Sequence, residues 1–246
     1  MLRGLWTLTW IETKIFLREP LGVVGTVGFP ILLFLLMRRM GRGVAPSALP
    51  PLLSNDLPIF AAVMSAVGAV ISLVAIVAIY REGGILKRLR ATPLHPVTIL
   101  LSHVIVKLGF TAVSLAALVL AGARSFGPAA GVPLASFALA LLFTTLCLLS
   151  IAFIIASLVP TARFAQPLST LVVYAMLGLS GLFVSIERLP PALQAVAHLL
   201  PLSYAVSLLR GVWRGDGWTA HLTEITVLTA MFLAGTAIAA RVFRWE

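Results

Sequence analysis

Apolar positions run for about twenty residues at a time along this chain, and the breaks between runs are short, polar and rich in Pro, Gly or Arg. A helix rises 1.5 Å per residue, so about 20 apolar residues cover a hydrocarbon core of roughly 30 Å. The pattern predicts six spans, at about 21–37, 57–80, 97–122, 134–159, 167–186 and 222–240. Gly22, Gly25 and Gly28 in the first permit close backbone approach, and Pro30 predicts a kink there. Arg38, Arg39 and Arg42 stop it. In the second, Ala62, Ser65, Ala66, Ala69 and Ser72 form a small-residue packing face. A Pro-rich loop (43–56), a Gly- and Pro-rich loop (123–133) and a turn (160–166) join the others.

Two stretches depart from this pattern. Residues 1–19 place Leu2, Leu5, Trp6, Trp10, Phe16 and Leu17 on one helical side and Arg3, Thr7, Lys14 and Arg18 opposite. Such a helix suits the membrane interface, with tryptophans at headgroup depth; a plain helical extension of the first span is the alternative. Charges throughout this stretch leave no clean apolar core for a cleavable signal. Residues 187–221 contain an uncharged run, 189–209, long enough to span. Pro190 and Pro191 stand at its start and Pro201 splits it, so a re-entrant helical hairpin on the outer face is expected rather than a seventh span.

Composition fixes the class. The 246 residues are 60% hydrophobic and 11% charged, where a soluble domain is nearer 45–50% and about 25%. The fold class is therefore all-α integral membrane, one transmembrane domain over residues 1–246. The net charge of +10 lies in short loops and builds no soluble basic face, which excludes a nucleic-acid partner and favours lipid headgroups. Cys147, the only cysteine, allows no intrachain disulfide. With six spans and both termini cytoplasmic, Lys and Arg are biased toward the inside, weakly but with the expected sign.

Candidate chemistry is sparse. The sequence has no GxxxxGK[ST] loop, HExxH, CxxC or GxSxG elbow, so no catalytic, cofactor or metal site is expected. His95, His103, His198 and His221 are scattered. All eight carboxylates fall in loops or near span ends, so an intramembrane carboxylate for proton or sodium coupling is not expected and the energy must come from elsewhere. Lys107 is the one charge well inside a span, some 15 Å deep. It either snorkels or finds a partner in the bundle, or else it lines a substrate path.

Between the second and third spans, residues 81–96 read REGGILKRLRATPLHP. Arg81, Lys87, Arg88 and Arg90 would serve as a topology anchor. Ile85, Leu86 and Leu89 at helical spacing also suit a short helix docking in a groove of a soluble partner. The residues alone leave both readings open.

Residues 81–94 resemble the cytoplasmic loop of type-2 ABC exporter permeases, the class of daunorubicin-like and polysaccharide exporters. A second block is similar to the same family: Leu179–Phe183, Ile186–Pro190, and Gln194 through Leu199-Leu200-Pro201-Leu202-Ser203-Tyr204-Ala205 to Arg210. Ser185, Ala192 and Ser207 depart from its usual proline, large aromatic and aspartate. The resemblance implies a permease of six spans with an interfacial N-terminal helix, paired as a homodimer on two separate ATPase subunits that carry the ATP and Mg. It implies a prokaryotic inner (plasma) membrane location. Arg81, Glu82, Gly84, Leu86, Lys87, Arg88, Leu89 and Arg90 would form the coupling element gripped by the ATPase. Substrate would pass between the permeases along spans two and five, with Lys107 and Phe183 as possible path residues. An ATPase-independent carrier or channel is the competing function.

Overall fold

Twenty-six consecutive residues, Leu57–Glu82 (named α4 below), form the helix around which the rest is assembled. It is apolar on every side, and a helix of that kind belongs inside a bundle. In the computed structural model 72% of its apolar window is buried, against 17% for the last helix of the chain. The structure describes residues 2–18, 20–40, 57–84, 96–123, 133–159 and 161–242.

The other elements are α1 (Leu2–Arg18), α2 (Pro20–Val23), a π-helical turn (Val24–Gly28), α3 (Phe29–Met40), α5 (Pro96–Ala123), α6 (Leu134–Leu158) and α7 (Ala162–Leu179). They continue with α8 (Pro191–Ala197), α9 (Pro201–Arg214) and α10 (Leu222–Val242), and short 3₁₀ turns lie at Ile186–Arg188 and Trp218–His221. All described elements are helical. Helix α4 packs on α6, α7, α5 and the first-span segment, while α6 also carries α9 and α10.

Four helices among the described residues are long and apolar enough to cross a membrane: Ala62–Glu82, Thr98–Leu120, Leu134–Leu158 and Trp218–Arg241. They lie where the apolar runs of spans two, three, four and six predict. The first-span region contributes a shorter apolar helix, Val24–Leu36. Helix α7 occupies the fifth-span region with shifted ends. The expected turn over 160–166 is helical from Ala162, and Pro167 sits inside the helix. A proline this near a helix start removes only one backbone bond, which explains why the helix runs through it. At the other end the helix stops at Leu179 instead of Ile186. Gly181 then takes φ +78°, a left-handed value that turns the chain away.

The π-turn and Pro30 show how a break in a membrane helix is repaired. Pro30 has no amide to offer the Thr26 carbonyl four residues back. The Ser65 hydroxyl of α4 donates to that carbonyl at 3.2 Å, and both residues are buried. Close approach is provided by Gly68: a Cβ there would sit 3.2 Å from both the Gly25 oxygen and the Thr26 Cα. Side chains added at Gly25 or Gly28 would meet nothing outside their own turn.

The prolines of the hairpin act as expected. Pro191 and Pro201 each open a helix. Helices α8 and α9 are bent by 78° to one another, the geometry of a broken span or re-entrant loop. The N-terminal helix divides. Trp6 and Trp10 are exposed, as an interfacial position requires, but Glu12 and Phe16 are buried against α4 and α5. Its second half is thus part of the bundle.

Candidate functional site

Three regions bear on function: the end of the bundle holding Glu82 and Pro96, the exposed side of α7, and the hairpin at the opposite end.

At the first, α4 closes with the Gly83 amide donating to the Ile79 carbonyl (2.9 Å) and the Gly84 amide to the Arg81 carbonyl (3.0 Å). Gly84 takes φ +65°, so the chain leaves the helix there. Arg81 Nη1 donates to the Ser157 carbonyl at 3.4 Å, tying the ends of α4 and α6 together. Glu82 is exposed. Of the expected coupling residues, Arg81, Glu82 and Gly84 thus stand on one helix end, and Leu86, Lys87, Arg88, Leu89 and Arg90 lie outside the described residues.

Next to this end is a polar cluster. Lys107 on α5 is 1% exposed. Its Nζ donates to the Ser72 hydroxyl of α4 at 2.6 Å and lies 3.8 Å from the centre of the Phe16 ring. One turn away, Glu12 Oε1 accepts from the Tyr80 hydroxyl at 2.9 Å, and Glu12 Oε2 lies 3.4 Å from His103 Nδ1. Phe16 also meets Phe110, with ring centres 4.4 Å apart. Sequence reasoning singled out Lys107 and missed Glu12, Tyr80 and His103. One signal was available: His103 and Lys107 stand four apart, hence on one face of an apolar span, and such a pair demands a partner.

Helix α7 presents Arg163, Gln166, Thr170 and Tyr174 along one side, bordering a wide, open groove whose described lining comes from this helix alone. Arg163, Gln166 and Tyr174 are exposed, and so are the neighbouring Phe164 and Leu171. From Arg163 to Tyr174 the stripe rises roughly 17 Å, more than half a hydrocarbon core. The spacing i, i+3, i+7, i+11 was legible in the sequence, but starting the span at Pro167 cut the stripe short.

Beyond α7, Phe183 is half exposed and meets Phe60 of α4 edge to face, with centres 5.7 Å apart. Arg210 Nη2 donates to the Gly181 carbonyl (3.2 Å) and Ser203 Oγ to that of Leu179 (3.5 Å), fastening the hairpin to the end of α7. The Ser207 hydroxyl donates to Glu224 Oε1 at 2.8 Å, and His221 lies between Glu224 (3.5 Å) and Asp216 (3.7 Å). Lys107 and Phe183, expected together on a path, belong to different regions. No cluster of His, Cys, Asp or Glu suited to a metal ion occurs among the described residues.

The sequence model for the ABC-2 type transporter family matches residues 3–213. Nodulation protein J of Neorhizobium galegae is 36% identical over 72 residues, 29% of this chain and 28% of that protein. Its namesake from Rhizobium leguminosarum bv. viciae is 32% identical over 102 residues, 40% of this chain and 39% of that protein. The namesake from Rhizobium meliloti is 34% identical over 73 residues, 30% of this chain and 28% of that protein. The chain thus matches less than half the length of these curated relatives. Several apolar helices and a family match over most of its length make it a membrane permease: the chain belongs to the ABC-2 type transporter family.

Proposed function

We propose that the chain is the transmembrane subunit of an ATP-driven exporter, working as a homodimer on two separate ATPase subunits in a prokaryotic inner membrane. It has six spans in this reading, with α3 and α7 as the first and fifth, both termini cytoplasmic, and the α8–α9 hairpin as an outer lid. The first half of α1 lies at the headgroups. The ATPase grips Arg81–Arg90, and closure on ATP moves the spans and opens the path outward.

The observation that carries this reading is the uncovered stripe on α7. Gln166, Thr170 and Tyr174 cannot face hydrocarbon without cost, and no other element among the described residues lines the face they border. A second copy across the groove, with a polar path between, meets that demand and supports substrate passage along spans two and five. Phe183 borders the outer end of such a path, and Lys107 joins it only when the bundle opens. So few charges at depth favour an amphipathic or apolar cargo.

The test is co-purification with the partner ATPase and reconstitution in liposomes. Leu89→Asp is expected to abolish capture of the ATPase or to uncouple hydrolysis from flux of a fluorescent phospholipid probe. Normal capture and coupling in that variant would refute the docking role. Probe flux through this chain alone would favour the carrier reading.

A further inference from the structure

Glu12 is 6% exposed and lies inside α1, whereas the other carboxylates among the described residues, Glu82, Glu187, Asp216 and Glu224, stand at helix ends or turns. Its two oxygens reach two different helices. Tyr80, at 2.9 Å from Oε1, lies two residues before the end of α4 at Glu82; His103, at 3.4 Å from Oε2, lies two turns into α5 from Pro96. Residues 83–95 between them are the proposed docking loop, so one carboxylate on α1 holds both of its stems. The arrangement repeats one turn deeper. Phe16 covers the Lys107 ammonium of α5, and Lys107 donates to Ser72 of α4.

Adhesion alone does not require these groups. Apolar side chains of similar volume hold helices together as well as a buried ion cluster or better, because burial strips the charges of water. Directional bonds add what oily contacts lack, a fixed register between helices that could otherwise slide. The cluster sits where register matters most, at the two stems that would receive the thrust of the ATPase.

We infer that Glu12 is a positioning residue of the transport cycle, tying the two stems of the docking loop to each other and to α1 so that they move as one lever. This rests on the docking role given to the loop above.

The experiment uses the full complex with its ATPase in phosphatidylethanolamine–phosphatidylglycerol liposomes. An environment-sensitive dye is attached at Leu199→Cys, 74% exposed at the bend of the distant hairpin; Cys147 is buried. The readouts are ATPase capture, ATP hydrolysis and the dye response to ATP with vanadate. Glu12→Ala and Tyr80→Phe are expected to keep capture and hydrolysis within about two-fold and to lose at least about five-fold of the dye response. Glu12→Gln, which still accepts from Tyr80, should fall between. An undiminished response in Glu12→Ala overturns the inference. So does a parallel loss of capture, hydrolysis and response in the nearly isosteric Tyr80→Phe, the mark of plain structural support. If the unsubstituted protein captures no ATPase or gives no response, the docking reading fails, and amide exchange decides on Glu12. Faster exchange over residues 2–18 and 96–103 in Tyr80→Phe supports the tie, and unchanged exchange overturns it.

Discussion

Replacing Ser65 with alanine removes a hydrogen bond to a carbonyl that Pro30 cannot serve. The Thr26 carbonyl is buried, Pro30 has no amide for it, and the Ser65 hydroxyl donates to it at 3.2 Å. That length is long for a hydroxyl bond, whose usual value is about 2.7–2.8 Å, so a strong contribution is not expected. Interhelical bonds in membranes average roughly 0.6 kcal/mol and reach about 1.7. Leaving a buried acceptor unmet costs about 1–3 kcal/mol. The two ranges overlap near ~1 kcal/mol, which for a chain of this size lowers Tm by about 2–4 °C. The cause can be isolated with a double-mutant cycle. Pro30→Ala restores an amide four residues after Thr26, so Ser65→Ala should cost ~1 kcal/mol with Pro30 present and about a third of that without it. Thermal unfolding of the four purified proteins in one detergent measures the cycle. Equal shifts in both backgrounds would refute the reasoning, because Ser65 would then stabilise by packing and not by serving the carbonyl.

Gly211→Ala would drive a Cβ into the His221 ring at Nε2, forcing the ring out from between Asp216 and Glu224; the cost should be about 1–3 kcal/mol by thermal unfolding, and largely vanish when His221→Ala is already present. Gln166→Leu with Thr170→Leu changes side chains beside the α7 groove. Their effect on stability should stay within about 0.5 kcal/mol, while flux of a fluorescent phospholipid falls several-fold in ATPase-containing liposomes; unchanged flux would take the groove out of the path. Lys107→Met should leave ATPase capture intact and lower probe flux per ATP by about five-fold or more, and unchanged flux would remove Lys107 from any opened path.

What the sequence disclosed and what it hid divide along a physical line. Burial of a whole apolar helix is a property of that helix alone, so α4, α5, α6 and α10 fall within about two residues of their apolar runs. Proline chemistry is local too. Pro190, Pro191 and Pro201 announce a broken hairpin before any neighbour is known, and the 78° bend lies at that break. Glu12 was invisible on the same grounds. In α1 it stands among alternating charges and tryptophans, an ordinary interfacial residue until α4 and α5 bring Tyr80 and His103 to it. The α7 stripe failed differently. Its spacing was present in the residues, but a proline read as a boundary concealed that Arg163 and Gln166 continue the line of Thr170 and Tyr174.

These two hidden features raise the same physical question, since each puts polar groups where an apolar bundle does not need them. They answer it in opposite ways. The Glu12 cluster is internal: Tyr80 and His103 meet Glu12, and Lys107 meets Ser72, within one copy of the chain. The α7 stripe is open: Arg163, Gln166 and Tyr174 are exposed, and the groove they border is left unfilled by the described residues. A completed network holds helices in register, whereas an uncovered one demands a second surface. Under the proposed function, that contrast assigns the lever to the end with Glu82 and the path to α7. It also fixes how the two must fail when cut. Glu12→Ala should spare hydrolysis while the response of the distant hairpin falls, whereas Gln166→Leu with Thr170→Leu should leave the hairpin responding while cargo flux falls. A protein in which either cut produced the other's symptom would have its lever and its path in the wrong places.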